Sequence, residues 1–523
     1  MKQTTKTLLS LSGFILLALG LATAAAWVGR DEERKAEAKD KSARLFEVDK
    51  AKVRELDLKK AGVLVAHLKR ESAAAPWKIT APVQAEAEDA AVAAIVDKLE
   101  SLKQKTELEG VDLKSVGLGD EAKTLLSITL VEEGGKAQTL LVGEDQPFDQ
   151  TLYVKKPGEK VVRLVPIADK APFDKELFDL RDKRVAHLDE AAQIKKLEVT
   201  PEARPAGKPA KGAPVAPAKL AYTLEHEGAE WKLLAPEVGA ADSSSAEKVV
   251  NVVKGLRATK VAAESVADGG LALFGLDAPK LTLTLTVLPP GGKETFQRKV
   301  LIGQPGRDAA GSLQVKTYAK RDDSAAVFEV DQASLKDLEK SLFDLQDKTV
   351  VKFDREAVRK LEFKGGGAGF QDLAVARKKD TPADGGTAEE SFEVVAPKQG
   401  LAKKWKLSGN LFSLAGMKAA AFGDATPTDP KARARLGLDQ ARTVTLLGDH
   451  DQVLARLWLG AELPAAGPEG KKRRYLVVEG GPRVLEVETA SLDDLPKTVD
   501  DALEPPPSLP PAPVMALPDA GAR

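Results

Sequence analysis

The chain contains no cysteine. That excludes disulfides, thiolate metal sites, a cysteine nucleophile and a lipidated N-terminal cysteine. It leaves the compartment open, because an exported protein need not carry disulfides. Histidine occurs only four times, as His67, His187, His226 and His450. These are far apart in sequence, and none sits at a metal-ligand spacing. Net charge is nearly absent: 78 basic against 79 acidic side chains give −1, which offers no global electrostatic case for nucleic acid. Catalytic signatures are missing as well. There is no Gly-x-Gly-x-x-Gly, no Walker loop and no Gly-x-Ser-x-Gly elbow. The run Gly365-Gly366-Gly367-x-Gly369 has no Lys-Ser or Lys-Thr after it, so it reads as a loop and not as a phosphate cradle.

What is present is ordinary folded-protein composition, 43% hydrophobic and 30% charged over 523 residues. Aromatics are few, at 5%. That length suggests about three domains, and internal repetition supports the number. Leu177-Phe178-Asp179-Leu180-Arg181-Asp182-Lys183-Arg184-Val185 returns as Leu342-Phe343-Asp344-Leu345-Gln346-Asp347-Lys348-Thr349-Val350, identical at seven of nine positions. The shoulder Val330-x-x-Ala333-Ser334-Leu335-x-Asp337-Leu338-x-Lys340 returns as Val487-x-x-Ala490-Ser491-Leu492-x-Asp494-Leu495-x-Lys497. Self-similarity at a long period implies tandem copies of one domain.

At the N-terminus, Lys2 and Lys6 precede an apolar run from Thr7 to Gly29, which Arg30-Asp31-Glu32 stops. About 20 apolar residues cross a bilayer as a helix, so 7–29 is expected to be an uncleaved anchor with the bulk of the chain outside. A cleavable signal ending at Ala22-Thr23-Ala24 or Ala24-Ala25-Ala26 is the alternative. The expected layout is a cytoplasmic stretch at 1–6, the anchor at 7–29 and a charged stalk at 30–45. Repeats follow at 46–186, 187–352 and 353–504, then a disordered proline-rich tail at 505–523.

Each copy opens on an alternating strand, at Val53–Leu58, Ile194–Val199 and Val358–Phe363. An aromatic-led strand then ends on Ala-Pro, at Trp77–Pro82, Trp231–Pro236 and Phe392–Pro397. A helix follows, on Val92, Ile95, Val96, Leu99 and Leu102, on Val249, Val252, Val253 and Leu256, and on Leu411, Leu414, Met417 and Ala421. Asp242 or one of Ser243–Ser245 is expected to cap the second. Gly-Leu turns recur at Gly117, Gly275 and Gly437, and return strands are expected to end on Gly143, Gly303 and Gly460. A hairpin through Tyr153, Tyr318 or Tyr475 precedes a last helix on Leu335, Leu338, Leu342 and Leu345. The fold class is α+β: three tandem copies of a mostly antiparallel sheet covered by two helices each. Residues 201–219 and 378–390 read as inserted loops.

The Trp-Lys-x-x-Ala-Pro strand, the helix after it, the Gly-Leu-Asp turn, the strand ending Leu-x-Gly or Ile-Gly and the Leu-Phe-Asp-Leu-x-Asp-Lys helix resemble the bacterial domain-of-unknown-function family 4340. The resemblance covers roughly residues 46–504. It departs in copy three, where Phe392 replaces the tryptophan and Val499-Asp500-Asp501-Ala502 replaces Leu-Phe-Asp-Leu. It implies an anchored envelope protein associated with gliding-type or other transport machinery, and it implies no catalytic residues.

The residues themselves point the same way. Asp179/Asp182 and Asp344/Asp347 could hold a cation or do acid–base work, but helix-end caps and ion pairs account for them equally well. Trp77 and Trp231 alternate with Ile79 and Leu233, which favours packing over sugar stacking. Lys471-Lys472-Arg473-Arg474 reads as a solvated hairpin flank. No catalytic residue, cofactor site or metal site is expected. The functional expectation is a non-enzymatic, membrane-anchored extracytoplasmic scaffold on the periplasmic side of the inner membrane. Its partner would be an envelope protein such as a transporter subunit, with no nucleic acid involved. The alternative is an exported hydrolase or carbohydrate-binding protein.

Overall fold

The structure is a computed structural model, and it describes residues 43–201, 221–267, 269–303, 316–380, 389–464 and 470–505. The expected anchor at 7–29, most of the stalk and the tail from 506 lie outside the described residues. Among the described residues, no helix is long and apolar enough to cross a membrane.

Three nine-stranded antiparallel sheets are formed, all with the same strand order. The first contains β1 (Val53–Lys60), β2 (Val63–Lys69), β3 (Lys78–Ala81), β4 (Ala85–Glu86), β5 (Thr106–Leu108), β6 (Leu126–Glu132), β7 (Ala137–Gln146), β8 (Thr151–Lys155) and β9 (Val162–Pro166). The second contains β10 (Gln193–Pro201), β11 (Tyr222–Glu227), β12 (Glu230–Ala235), β13 (Gly239–Ala240), β14 (Ala258–Ala263), β15 (Leu281–Leu288), β16 (Phe296–Ile302), β17 (Lys316–Arg321) and β18 (Val327–Asp331). The third contains β19 (Lys360–Lys364), β20 (Leu373–Asp380), β21 (Glu389–Ala396), β22 (Gly400–Leu401), β23 (Ala421–Ala425), β24 (Arg442–Leu447), β25 (Val453–Leu463), β26 (Arg473–Val478) and β27 (Arg483–Glu488). In the first sheet the order is β4-β3-β2-β1-β6-β7-β8-β9-β5, and the other two repeat it strand for strand.

The described residues fall into two compact units, one within 1–219 and 249–338 and the other within 220–248 and 339–523. The second sheet contributes β10 and β14–β18 to the former and β11–β13 to the latter.

Alternation places the core. In the first sheet Leu56 pairs with Leu68 and Leu130, and Leu58 with Ala66 and Ile128, so one face is apolar across three strands. In the third, Leu361 pairs with Val375 and Leu446, and Phe363 with Leu373 and Val444. Three 13-residue helices follow the fourth strand of each sheet: α1 (Asp89–Ser101), α2 (Ser243–Gly255) and α3 (Lys404–Gly416). Their inward residues are Val92, Ile95, Val96 and Leu99 in α1, and Leu407, Asn410, Leu411 and Leu414 in α3. Asp242 accepts a hydrogen bond from the Ser245 amide at 2.8 Å, and so caps the start of α2.

The expected last helix is two short pieces. A 3-10 stretch, Gln332–Leu338, stops, and Ser341 then caps a single α-turn, Leu342–Leu345, in a reciprocal box with Asp344. Leu335, Leu338 and Leu345 are all buried, so the apolar spacing reports two separate buried pieces and not one continuous helix. Each sheet therefore carries one long helix rather than two.

The strands β2, β11 and β20 stand between the two strands expected at the start of each copy. Strand also invades the expected loop 378–390, since β20 runs to Asp380 and β21 begins at Glu389. Residue 201 likewise belongs to β10.

The recurring glycines have a geometric cause. Gly117, Gly275 and Gly437 take φ of +71°, +63° and +68°, a left-handed turn that favours glycine, and Leu118, Leu276 and Leu438 beside them are buried. The return strand then passes directly under that turn. A Cβ at Gly143, Gly303 or Gly460 would lie 2.1, 2.3 or 2.4 Å from the carbonyl oxygen of Val116, Phe274 or Leu436. Gly143 and Gly460 are thus inside β7 and β25 and do not end them. They mark close crossings.

Candidate functional site: the clefts between repeats

The most repeated run of the sequence forms the joint between successive repeats. Its first half pairs backward, onto the segment before the long helix. The Glu88 amide donates to the Leu180 carbonyl at 2.8 Å, and the Asp182 amide to the Glu86 carbonyl at 3.0 Å. Its second half pairs forward, onto the segment after the next repeat's helix. The Val185 amide donates to the Leu256 carbonyl at 2.9 Å, and the Ala258 amide to the Lys183 carbonyl at 2.7 Å. The second joint repeats both ladders. Asp242 donates to Leu345 and Asp347 to Ala240; Val350 donates to Met417 and Ala419 to Lys348. Residues 43–45 make the same forward ladder on the first repeat, with the Leu45 amide on the Leu102 carbonyl at 2.9 Å. The segment is thus paired on both sides through its backbone.

A cleft opens beside each joint. The first, within the former unit, has a volume of about 410 Å³ and is lined by Lys78, Glu86, Arg181, Asp182, Glu264, Arg321 and Asp323 among others. Arg181 donates to Glu264 at 2.5 Å, and Arg321 to Asp323 at 2.6 Å. The second, within the latter unit, is also about 410 Å³, and Leu233, Val238, Asp347, Phe422, Pro482 and Arg483 line it. Val238 is 82% exposed.

The paired aspartates divide their work. Asp179 accepts from the Glu176 amide at 2.9 Å, and Asp344 accepts from the Ser341 amide and hydroxyl, so both close local turns. Asp182, its side chain 1% exposed, accepts from Arg184 Nε at 2.9 Å, from the Arg184 amide at 3.0 Å and from His187 Nδ1. Burial pushes its carboxyl up, but the hydrogen bonds from His187 and Arg184 outweigh it and hold the group far below the usual carboxylate range. Burial also raises Asp347, and hydrogen bonds from Thr349 with the Lys352 ammonium bring it below its ordinary value.

The remaining sequence candidates are scattered. His67 Nδ1 lies 2.6 Å from Asp57 Oδ1, His226 packs its ring on Trp231 at 4.8 Å, and His450 occupies a left-handed turn. Among the described residues, no three His, Asp or Glu side chains gather as a metal site would require. Trp77 and Trp231 are buried, 4% and 6% exposed, with the Arg70 guanidinium 4.8 Å over the Trp77 ring. Lys471, Arg473 and Arg474 each meet a carboxylate at 3.3 Å, on Glu488, Glu486 and Glu462, which offsets three of the four charges in the basic run. The loop at Gly365 is held by Asp372, which accepts from its amide at 2.8 Å, and by Arg442, which donates to its carbonyl at 2.9 Å. The clefts themselves carry no sequence signature: their walls come from four separated segments that only the folded chain assembles.

The family described as Domain of unknown function (DUF4340) matches residues 77–268 and 231–432, more than half of the chain. The chain belongs to this family. Each DUF4340 match starts at a tryptophan, Trp77 immediately before β3 or Trp231 within β12, and contains one complete joint, 177–185 or 342–350. The family unit thus runs from one repeat into the next, and the second match reaches residue 432, in the short helix between β23 and β24 of the third repeat. No curated protein and no solved structure matches the chain.

Proposed function

We propose that this DUF4340 protein is a membrane-anchored, extracytoplasmic and non-catalytic scaffold. Residues 7–29 would hold it in the inner membrane with the repeats on the periplasmic side, and its clefts would receive an envelope protein, for instance a transporter subunit. One observation carries the reading. The residues that repeat are spent on backbone ladders, left-handed turns and close crossings, whereas the cleft linings differ between the two joints. A fixed frame with variable surface is how repeat proteins present binding faces. The charged groups that line the first cleft engage one another, Arg181 with Glu264 and Arg321 with Asp323.

The second cleft fits a protein partner better than the first. It places Phe422 and the exposed Val238 beside Arg483, an apolar patch with a charged rim. The test is a photocrosslinking residue at Val238 in native membranes, with Lys78 in the first cleft as comparison. The expected result is one defined protein adduct from Val238. If Val238 traps no protein while the purified chain hydrolyses an envelope polymer, the scaffold reading fails and the exported-hydrolase reading replaces it.

A further inference from the structure

The helix α3 carries an outward stripe that the other two long helices lack. Trp405, Gly409, Phe412 and Gly416 fall at spacings of four, three and four, and so share one helix face. All four are exposed, with Trp405 at 71% and Phe412 at 67%. The corresponding positions are Ala90, Ala94, Asp97 and Ser101 in α1, and Ser244, Lys248, Asn251 and Gly255 in α2. Two large rings have thus replaced small or polar side chains where no core requires them.

The glycines sharpen the case. A glycine inside a helix costs about 1 kcal/mol relative to alanine. A Cβ at Gly409 would meet nothing within 4 Å, so packing inside the chain gives no reason for its absence. Beside Gly416 lies an open hollow of about 420 Å³, lined by Phe412, Gly416, Met417, Lys418, Glu488 and Ser491 among others. Trp405 cannot fill that hollow, for the two positions lie about 16 Å apart along the axis at the usual helical rise.

The order large, small, large, small reads as its own complement when reversed. Around a two-fold axis between residues 410 and 411, Trp405 faces Gly416 of a second copy, and Gly409 faces Phe412. Isologous contacts have this form, with residue i meeting j and j meeting i. We propose that the chain forms a symmetric dimer through antiparallel α3 helices, the Trp405 ring of each copy entering the hollow beside Gly416 of the other. Glu488 and Ser491 on the rim of the hollow offer acceptors to the indole N–H. Each copy brings two rings, roughly 200–350 Å² of exposed aromatic surface. That is small against the ~800 Å² per partner of a standard interface, so the dimer is reversible and concentration-dependent.

Sedimentation equilibrium of the full chain in mild detergent tests this. The parent is expected to dimerise reversibly. Trp405→Ser, Phe412→Asn and Gly409→Leu should each weaken the dimer at least about tenfold with helical content unchanged. Gly409→Leu is the discriminating variant, because it adds apolar surface and would strengthen a merely sticky face. Since the chain has no cysteine, Gly409→Cys should crosslink to itself on oxidation. Lys404→Cys should not, its two copies lying about 20 Å apart along the helices. A parent that stays monomeric overturns the proposal, as does a dimer that survives Trp405→Ser and Phe412→Asn. Trp405-dependent binding of that monomer to anionic vesicles, or to a peptide of residues 505–518, would assign the face to another occupant instead.

Discussion

At the first joint Arg181, Arg321 and Asp323 stand where the second has Gln346, Val478 and Gly480. One cleft is lined by the Arg181–Glu264 and Arg321–Asp323 pairs, while the other sets Phe422, Val238 and a Gly-Gly-Pro turn beside a single Arg483–Glu237 pair at 3.5 Å. Yet the backbone ladders beneath are the same, with carbonyls and amides meeting at corresponding places. The backbone is therefore indifferent to what lines the cleft. Architecture and recognition are carried by different atoms, and the second can change without cost to the first.

Substitutions can break or sharpen this contrast. The largest effect is expected where the joints are alike, in the core beneath them. Trp77→Ala and Trp231→Ala should each cost about 3–5 kcal/mol. Both should strongly lower the unfolding midpoint followed by circular dichroism, and a variant that melts like the parent would contradict burial.

The aspartates should separate the joints. Asp182→Asn removes the charge from a buried, doubly partnered group and should cost about 2–4 kcal/mol. Asp347, with its side chain 19% exposed, should cost only about 1 kcal/mol as asparagine. Urea midpoints of the two variants would check the ranking, and equal losses would erase the distinction drawn between the joints.

Acid gives a third test. Asp182 has a folded value depressed below its unfolded one, near 3.9. Its contribution is therefore complete well above pH 4 and is lost as pH falls from there toward the depressed folded value. The gap in stability between the parent and Asp182→Asn should be full at pH 7 and should narrow steadily between about pH 4 and pH 2. A gap that stayed constant would mean that the Arg184 and His187 contacts do not act through charge.

The smallest effect is expected from making the first joint resemble the second. Arg181→Gln gives up an ion pair with a half-exposed Glu264 and should cost no more than about 1 kcal/mol. Differential scanning calorimetry should show an intact transition. A collapse would show that the lining does hold up the frame.

The sequence exposes much of this frame and little of the clefts. Trp77-to-Pro82, the Gly-Leu turns and the repeated nonapeptide are local patterns, and each marks a local structure. The misreadings share a cause. Gly143 and Gly460 look like strand ends because glycine punctuates, but a carbonyl some 25 residues away in sequence excludes the Cβ, and that is a tertiary fact. Leu335 to Leu345 keeps a helical rhythm across a break that only the Ser341 cap betrays. The ladders flanking the nonapeptide use backbone atoms alone, so no choice of side chain announces them. Glu264, just after β14, and Asp323, between β17 and β18, reach the first cleft together only through folding.

The end of the third repeat carries a further consequence. Its backward ladder is present, with the Glu504 amide on the Leu401 carbonyl at 2.8 Å. Glu504 occupies the place of Asp182 and Asp347, so Lys183–Val185 and Lys348–Val350 correspond to Pro505-Pro506-Pro507. The forward ladder requires an amide hydrogen at the third of these positions, and proline has none. Of the two bonds in that ladder, only the one accepted by the first carbonyl could still form, so the end of the third repeat offers a following unit half of the backbone pairing that links the repeats to one another.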